Sequence, residues 1–241
     1  MSLGLMGASF FFFDAFWIFI PILFIASYIL TFFSVLEDIE KIEWTMLFLM
    51  PVLFTITCYL FYFLFPVRWL TRVPFLISYG VSMYAIFLTS NIFNVGVGKS
   101  LQLYRAAFSV NYFYQTLILF LLLIVIFSFK QMFIINGLLI FITTLPLSMQ
   151  LLWSVKPKTT LDRHILTYSL LISAILMELG IALSFVPVKS TILGLFLTAC
   201  YYSLTGLFHN YLDQKLFSQT IREYLFVIGF VSLIFLLSIQ W

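Results

Sequence analysis

Residues 165–186 read ILTYSLLISAILMELGIALSFV, an apolar run that carries one charge, Glu178. At about 1.5 Å of rise per residue, a helix of this length crosses the ~30 Å hydrocarbon core of a bilayer. On such a helix Ala174, Glu178 and Ala182 fall on one line, while Ser173, Gly180 and Ser184 fall on nearly the opposite one. Small side chains let helix backbones approach closely inside a membrane. Both faces are therefore expected to meet neighbouring helices, which makes this segment an inner helix of a polytopic bundle.

The composition extends that reading to the whole chain. Its 241 residues are 63% hydrophobic and 9% charged, with a mean hydropathy of +1.15, whereas soluble domains hold about 25% charged residues. The expected fold class is all-α, a polytopic transmembrane helical bundle forming a single integral membrane domain over residues 1–241. Eight spans are read, with seven the alternative: about 15–36, 45–65, 75–95, 107–129, 138–155, 165–186, 191–211 and 224–241. Asp14 stands in the N-cap position before the first of them. No Lys or Arg precedes Lys41, so no cleavable signal peptide is expected and the first span is retained. The acidic linker EDIEKIEW, residues 37–44, reads as a solvated turn. FKQMFIING, residues 129–137, supplies the turn that divides the long apolar stretch 106–155 into two helices. Cys58 and Cys200 sit within apolar segments and read as packing residues, not a disulfide.

Several function classes are excluded by what the chain lacks. The net charge of +3 is spread over short loops and no basic run can track a nucleic acid backbone, so the expected partners are the lipid bilayer and other membrane proteins. GVGKS, residues 96–100, fails as a phosphate loop because Phe93 occupies the position of the first required glycine and no strand precedes it. Zinc-protease H-E-x-x-H and nucleophile-elbow G-x-S-x-G signatures are absent. His209 and Asp213 share the spacing of one motif of CAAX-processing membrane proteases, but the double-glutamate motif of that family is missing. His164 and His209 lack a third ligand for a metal site. No metal and no cofactor is expected, and the balance leans away from an enzyme.

Orientation follows from the basic residues. With eight spans, the side that holds the termini carries 4 of them (Arg68, Arg72, Lys130, Lys189), and the other side carries the remaining 8 of the 12. Lys and Arg favour the cytoplasm, so both termini are predicted outside the cell membrane.

Two polar groupings are the candidate sites. Glu178 lies roughly 20 Å from the cytoplasmic start of its segment and about 12 Å from the outer end. Counting depth along the next segment places Thr198 at its level and Tyr202 one turn further in, on a stripe that runs through Gly194 and Thr205 to His209. The expected intramembrane polar site is thus Glu178, Thr198, Tyr202 and Thr205, with a largely protonated carboxyl hydrogen-bonded to the hydroxyls and no cation beside it. His209 falls roughly 16 Å deeper, which disfavours a direct pair with Glu178. The second grouping is a cytoplasmic-end cluster of Arg105, Asn111, Gln115, His164 and His209, with Gln150 and Asn210 at similar depth. Helix-end solvation accounts for many of these, and a solute vestibule is the alternative.

The stretches SNIFNVG (90–96), LQLYRAAFSV (101–110), LLWSV (151–155), ILMELGIALSFVPV (175–188), FHNYLDQKLF (208–217) and IREYL (221–225) are distinctive as strings. Through them the chain resembles an uncharacterised family of multi-span proteins from candidate-phyla bacteria, a domain of unknown function. The resemblance implies a multi-pass protein of the bacterial inner membrane and no substrate or catalytic residue. The leading functional expectation is a structural or assembly subunit of a membrane complex. The alternatives are a small-solute or ion transporter using Glu178 and the polar stripe, and then an intramembrane enzyme acting on lipid or peptide.

Overall fold

The structure is a computed structural model that describes residues 4, 6–7, 16–35, 44–64, 69–95, 101–155, 157 and 161–239. Asp14, residues 37–43 of the acidic linker, Arg68 and the GVGKS loop lie outside them. Among the described residues the chain is all helical: α1 Phe16–Val35, α2 Trp44–Tyr62, α3 Trp69–Val95, α4 Leu101–Ser128, α5 Phe133–Trp153, α6 Arg163–Leu183, α7 Ser190–Leu212 and α8 Ser218–Leu237. Helices α2 to α8 are long and apolar enough to cross a membrane, while α1 contributes a shorter apolar stretch, Ile18–Ser34.

Several helices run past the expected spans, because nothing in the flanking sequence breaks them. Helix α4 starts six residues early at Leu101 and carries Gln102 and Arg105 as exposed helical residues. Helix α3 starts at Trp69, so Pro74 falls in its second turn and forfeits one backbone hydrogen bond there. Helix α5 starts at Phe133, so Asn136 and Gly137 belong to the helix and the turn is confined to 129–132. Lys130 makes that turn with φ 49°, its N–H bonded to the Phe127 carbonyl at 3.3 Å.

The chain divides into two compact units, Met1–Tyr114 with Pro157–Thr160, and Gln115–Lys156 with Leu161–Trp241. The first unit packs α1, α2 and α3 on one another, together with the first half of α4. Rings dominate it. Phe54 of α2 stacks on Tyr79 of α3 at 5.8 Å and meets Tyr114 edge-on at 5.8 Å, and Phe93 meets Tyr104 at 5.4 Å. Thr55 hydrogen-bonds the Tyr79 hydroxyl at 3.1 Å and also donates to the carbonyl of Pro51 at 2.8 Å. Proline at 51 cannot donate to the helix ladder, and that extra threonine bond ties the chain locally where the ladder is weakened.

The second unit contains the other half of α4 and helices α5 to α8, with α5 packed chiefly on α6, α6 on α7 and α7 on α8. Its seams are made by small residues. A Cβ on Gly137 of α5 would stand 2.6 Å from Ile181 Cγ1 of α6, and a Cβ on Gly180 of α6 would overlap Ile140 Cδ1 of α5. The two glycines thus receive each other's neighbouring isoleucine, a reciprocal fit that draws the antiparallel helices together. Further along the same seam Ser148, Ser169 and Ser173 are buried, and Ser148 donates to the Ser169 carbonyl at 3.5 Å. On α7, Gly206 forms the seat for the Tyr224 ring of α8, Ser203 donates to the Tyr224 carbonyl at 3.3 Å, and Asn210 reaches the Tyr224 hydroxyl at 3.4 Å.

Candidate functional site

The polar centre of the second unit is assembled from three helices. Gln115 lies at the middle of α4, Gln150 one turn from the C-terminal end of α5, and Tyr201 at the middle of α7. All three are buried, with relative exposures of 0%, 2% and 0%. Gln115 Nε2 donates to Gln150 Oε1, and the Tyr201 hydroxyl donates to Gln115 Oε1 at 2.9 Å. One carboxamide therefore bridges α5 and α7 from α4, using its donor and its acceptor at once.

Packing around this knot follows from helical spacing. Residues about one turn away along each helix, Leu119, Leu147, Leu197 and Thr205, are all 0% exposed. Gly194, two turns before Tyr201 on the same face of α7, lets that helix approach α4 until an added Cβ would lie 3.5 Å from the backbone nitrogen of Ile124. This close approach brings Tyr201 within reach of Gln115. In a bilayer each such interhelical hydrogen bond is worth about 0.6–2 kcal/mol, so the three groups act as a tie that fixes helix register.

The hydroxyl stripe expected around Glu178 has a different arrangement. Thr198 Oγ1 donates to the Gly194 carbonyl at 2.7 Å and Thr205 Oγ1 to the Tyr201 carbonyl at 2.6 Å, both on their own helix. The Tyr202 ring packs at 5.6 Å from that of Tyr224. Glu178 itself is exposed on α6, as are Leu171, Ile175 and Ala182, whereas Ser169, Ser173 and Gly180 are buried. Of the two small-residue faces read from the sequence, only the serine–glycine face packs against neighbours. Ile140 of α5 and Leu197 of α7 meet the Gly180 side of the helix, and the line through Glu178 lies on the other side.

Depth makes the exposure of Glu178 consequential. It lies five residues, about 8 Å, before the end of α6 at Leu183. Helix side chains lean toward the N-terminus, which for α6 directs the carboxyl away from that nearby end and further along the apolar span. Holding an ionised group within a spanning helix costs on the order of 3 kcal/mol near the helix centre.

The second polar grouping is brought together only in part. Gln115 and Gln150 meet in the knot. In the first unit, Arg105 is exposed and Asn111 is 2% exposed. In the second, His164 is exposed beside Tyr168, whose ring packs on Phe208 at 4.9 Å, and His209 is half-buried one residue further along α7. Among the described residues no group of three metal-ligating side chains occurs. Tyr201 was the residue that the stripe reading passed over in favour of Tyr202. Its signal was the seven-residue spacing from Gly194, which puts a helix-approach glycine and a hydroxyl on one face.

Among the described residues the chain is all helical, with seven helices long and apolar enough to cross a membrane and tied by buried amides and glycine notches, an arrangement compatible with the class of helical membrane proteins. Residues 102–238 match the family described as protein of unknown function, DUF5656, and the chain belongs to that family. The match runs from α4 through α8 and so includes the amide knot and Glu178. No curated protein and no solved structure matches the chain.

Proposed function

We propose that the protein is a structural or assembly subunit of a membrane complex, and that it meets its partner through the outward face of α6. The observation that carries this reading is the division of polar groups in the second unit. Gln115, Gln150 and Tyr201 satisfy one another inside, and the Thr198 and Thr205 hydroxyls of α7 are turned onto their own backbone. Glu178 stands on the outside, half a helical turn from the buried Ser169. A transporter needs wetted polar groups between helices, whereas a subunit needs a closed interior and a polar contact on its surface. In this reading the termini lie outside the cell membrane, and the end of the second unit nearer Gln150 faces the cytoplasm.

The test is a photo-crosslinking residue placed at Leu171 in the full chain, in the membranes of the producing cell. Protein adducts at position 171, and none from the same probe at Leu225 on the outer face of α8, are the expected result. Adducts to lipid alone at position 171 overturn the reading. Cysteines replacing Ala199 or Thr205 in a chain whose Cys58 and Cys200 are changed to alanine give a second readout: the subunit reading expects both to resist a water-soluble thiol reagent, and rapid labelling favours a transport path.

A further inference from the structure

A serine or threonine buried on a helix can satisfy its hydroxyl by donating to the carbonyl three or four residues back. In the second unit Thr144, Ser154, Ser173 and Thr205 do so at 2.6 to 2.8 Å, and buried Ser203 donates across to α8 instead. Ser169 of α6 departs from this pattern. It is 0% exposed, and its Oγ has no hydrogen-bond partner among the described residues. A hydroxyl left unbonded in an apolar surrounding is costly, so the seam needs a further polar group at this point.

The opposite wall of the seam supplies half of what such a group requires. Ser148 of α5 is also 0% exposed, and its O–H is shared between the Leu145 carbonyl at 3.0 Å and the Ser169 carbonyl at 3.5 Å. With its proton committed, its oxygen can still accept. A group that fits between the two serines therefore accepts from Ser169 and donates to Ser148. It carries no charge, because α5 has no charged residue, and those of α6 are Arg163 at its start and Glu178 on its exposed side. A metal ion would need more oxygen ligands than two serines give.

We propose that the seam holds a single ordered water, bound by the Ser169 hydroxyl and by Ser148 Oγ. Pro146 is a second reason for water at this height. It has no N–H, so the Ile142 carbonyl lacks its ladder donor in the turn that leads into Ser148. Ordered water is among the groups that complete such turns within a bilayer. The water also brings α6 into the polar network: Gln115, Gln150 and Tyr201 tie α4, α5 and α7, and the bridge adds the fourth helix two residues from Gln150. The inference is independent of what meets the outer face of α6.

The test is water-edited solid-state NMR of the full chain in lipid vesicles with isotope-labelled serine, which reads how fast magnetisation passes from water protons to each serine Cβ. Ser148 and Ser169 are expected to receive it roughly threefold faster than Ser173 and Ser203, which are equally buried but bonded to carbonyls without a bridge. In Ser169→Ala, transfer at Ser148 falls to the level of Ser173, because the water keeps one partner only. Ser148→Asn, whose longer amide takes the place of the water, abolishes fast transfer at Ser169 and leaves the thermal midpoint in detergent no lower than that of the unaltered chain.

Transfer at Ser169 no faster than at Ser173 in the unaltered chain overturns the proposal, since the hydroxyl is then bonded to its own helix. Fast transfer at Ser148 that survives Ser169→Ala overturns it as well, because the two serines do not then share one water. Equally fast transfer at all four serines means a seam open to solvent, which removes both the single water and the closed interior of the subunit reading.

Discussion

Helices of the first unit are joined chiefly through rings, whereas those of the second add glycine notches and amides to ring contacts such as Tyr168 on Phe208 and Phe196 on Phe235. In the first, Phe54 touches Tyr79 and Tyr114, Tyr28 meets Phe48 at 4.9 Å, and Tyr62 meets Phe75 at 5.5 Å. In the second, Gly137, Gly180, Gly194 and Gly206 each receive a side chain or backbone from a neighbouring helix, and Gln115 links two helices at once. Lipid is as apolar as leucine, so burial alone gives helices little reason to associate within it. Large rings answer with contact area, and small residues answer with closeness that brings hydrogen-bonding groups into range. The first solution tolerates adjustment, because a ring can tilt. The second has little freedom, since a glycine notch admits one partner in one register.

That contrast can be broken by substitution, and the largest effect is expected at Gly206. Replacing it with leucine fills the seat of the Tyr224 ring and misaligns the bond from Asn210, and should cost about 2–3 kcal/mol of stability. The thermal midpoint of the purified chain in detergent measures it, and a shift below the scatter of repeat scans would remove the notch from the argument. Next is the amide tie. Gln115→Leu leaves the Tyr201 hydroxyl and the Gln150 carbonyl without their present partner and is expected to cost about 1–2 kcal/mol. A double-mutant cycle with Gln150→Leu should show coupling, and strictly additive losses would mean that the two amides do not act together.

The ring-built unit should be more forgiving. Phe54→Leu keeps an apolar side chain of similar reach and is expected to cost about 1 kcal/mol, with neighbouring rings closing part of the gap. A loss equal to that of Gly206→Leu would erase the distinction between the units. The smallest effect belongs to Glu178. Changing it to leucine should move the stability of the isolated chain by less than about 0.5 kcal/mol, because its side chain is exposed. A large loss there would mean that the acid is part of the internal packing.

The sequence made parts of this visible with unequal clarity. Apolar runs of spanning length were legible because the requirement to satisfy every backbone group inside a bilayer leaves a helix as the only form such runs can take. The Ser173 and Gly180 line was legible as a packing face from its spacing. Gln115 and Gln150 could be placed at similar depth, but Tyr201 could not be chosen over Tyr202, since adjacent residues differ only by a rotation of the helix about its axis. The turn before α5 was set too late, because Asn136 and Gly137 look like turn residues when read locally. In the fold Gly137 serves as a contact for Ile181.

By itself the sequence determined that the chain is all helical, where most helices run, and that one acid stands alone on an apolar segment. Only the tertiary structure decided which way that acid faces. Helical periodicity gives the relative angle between two faces but not which of them is buried, and that choice was made by the fit of Ile140, Ile181 and Leu197 to the glycine side of the seam.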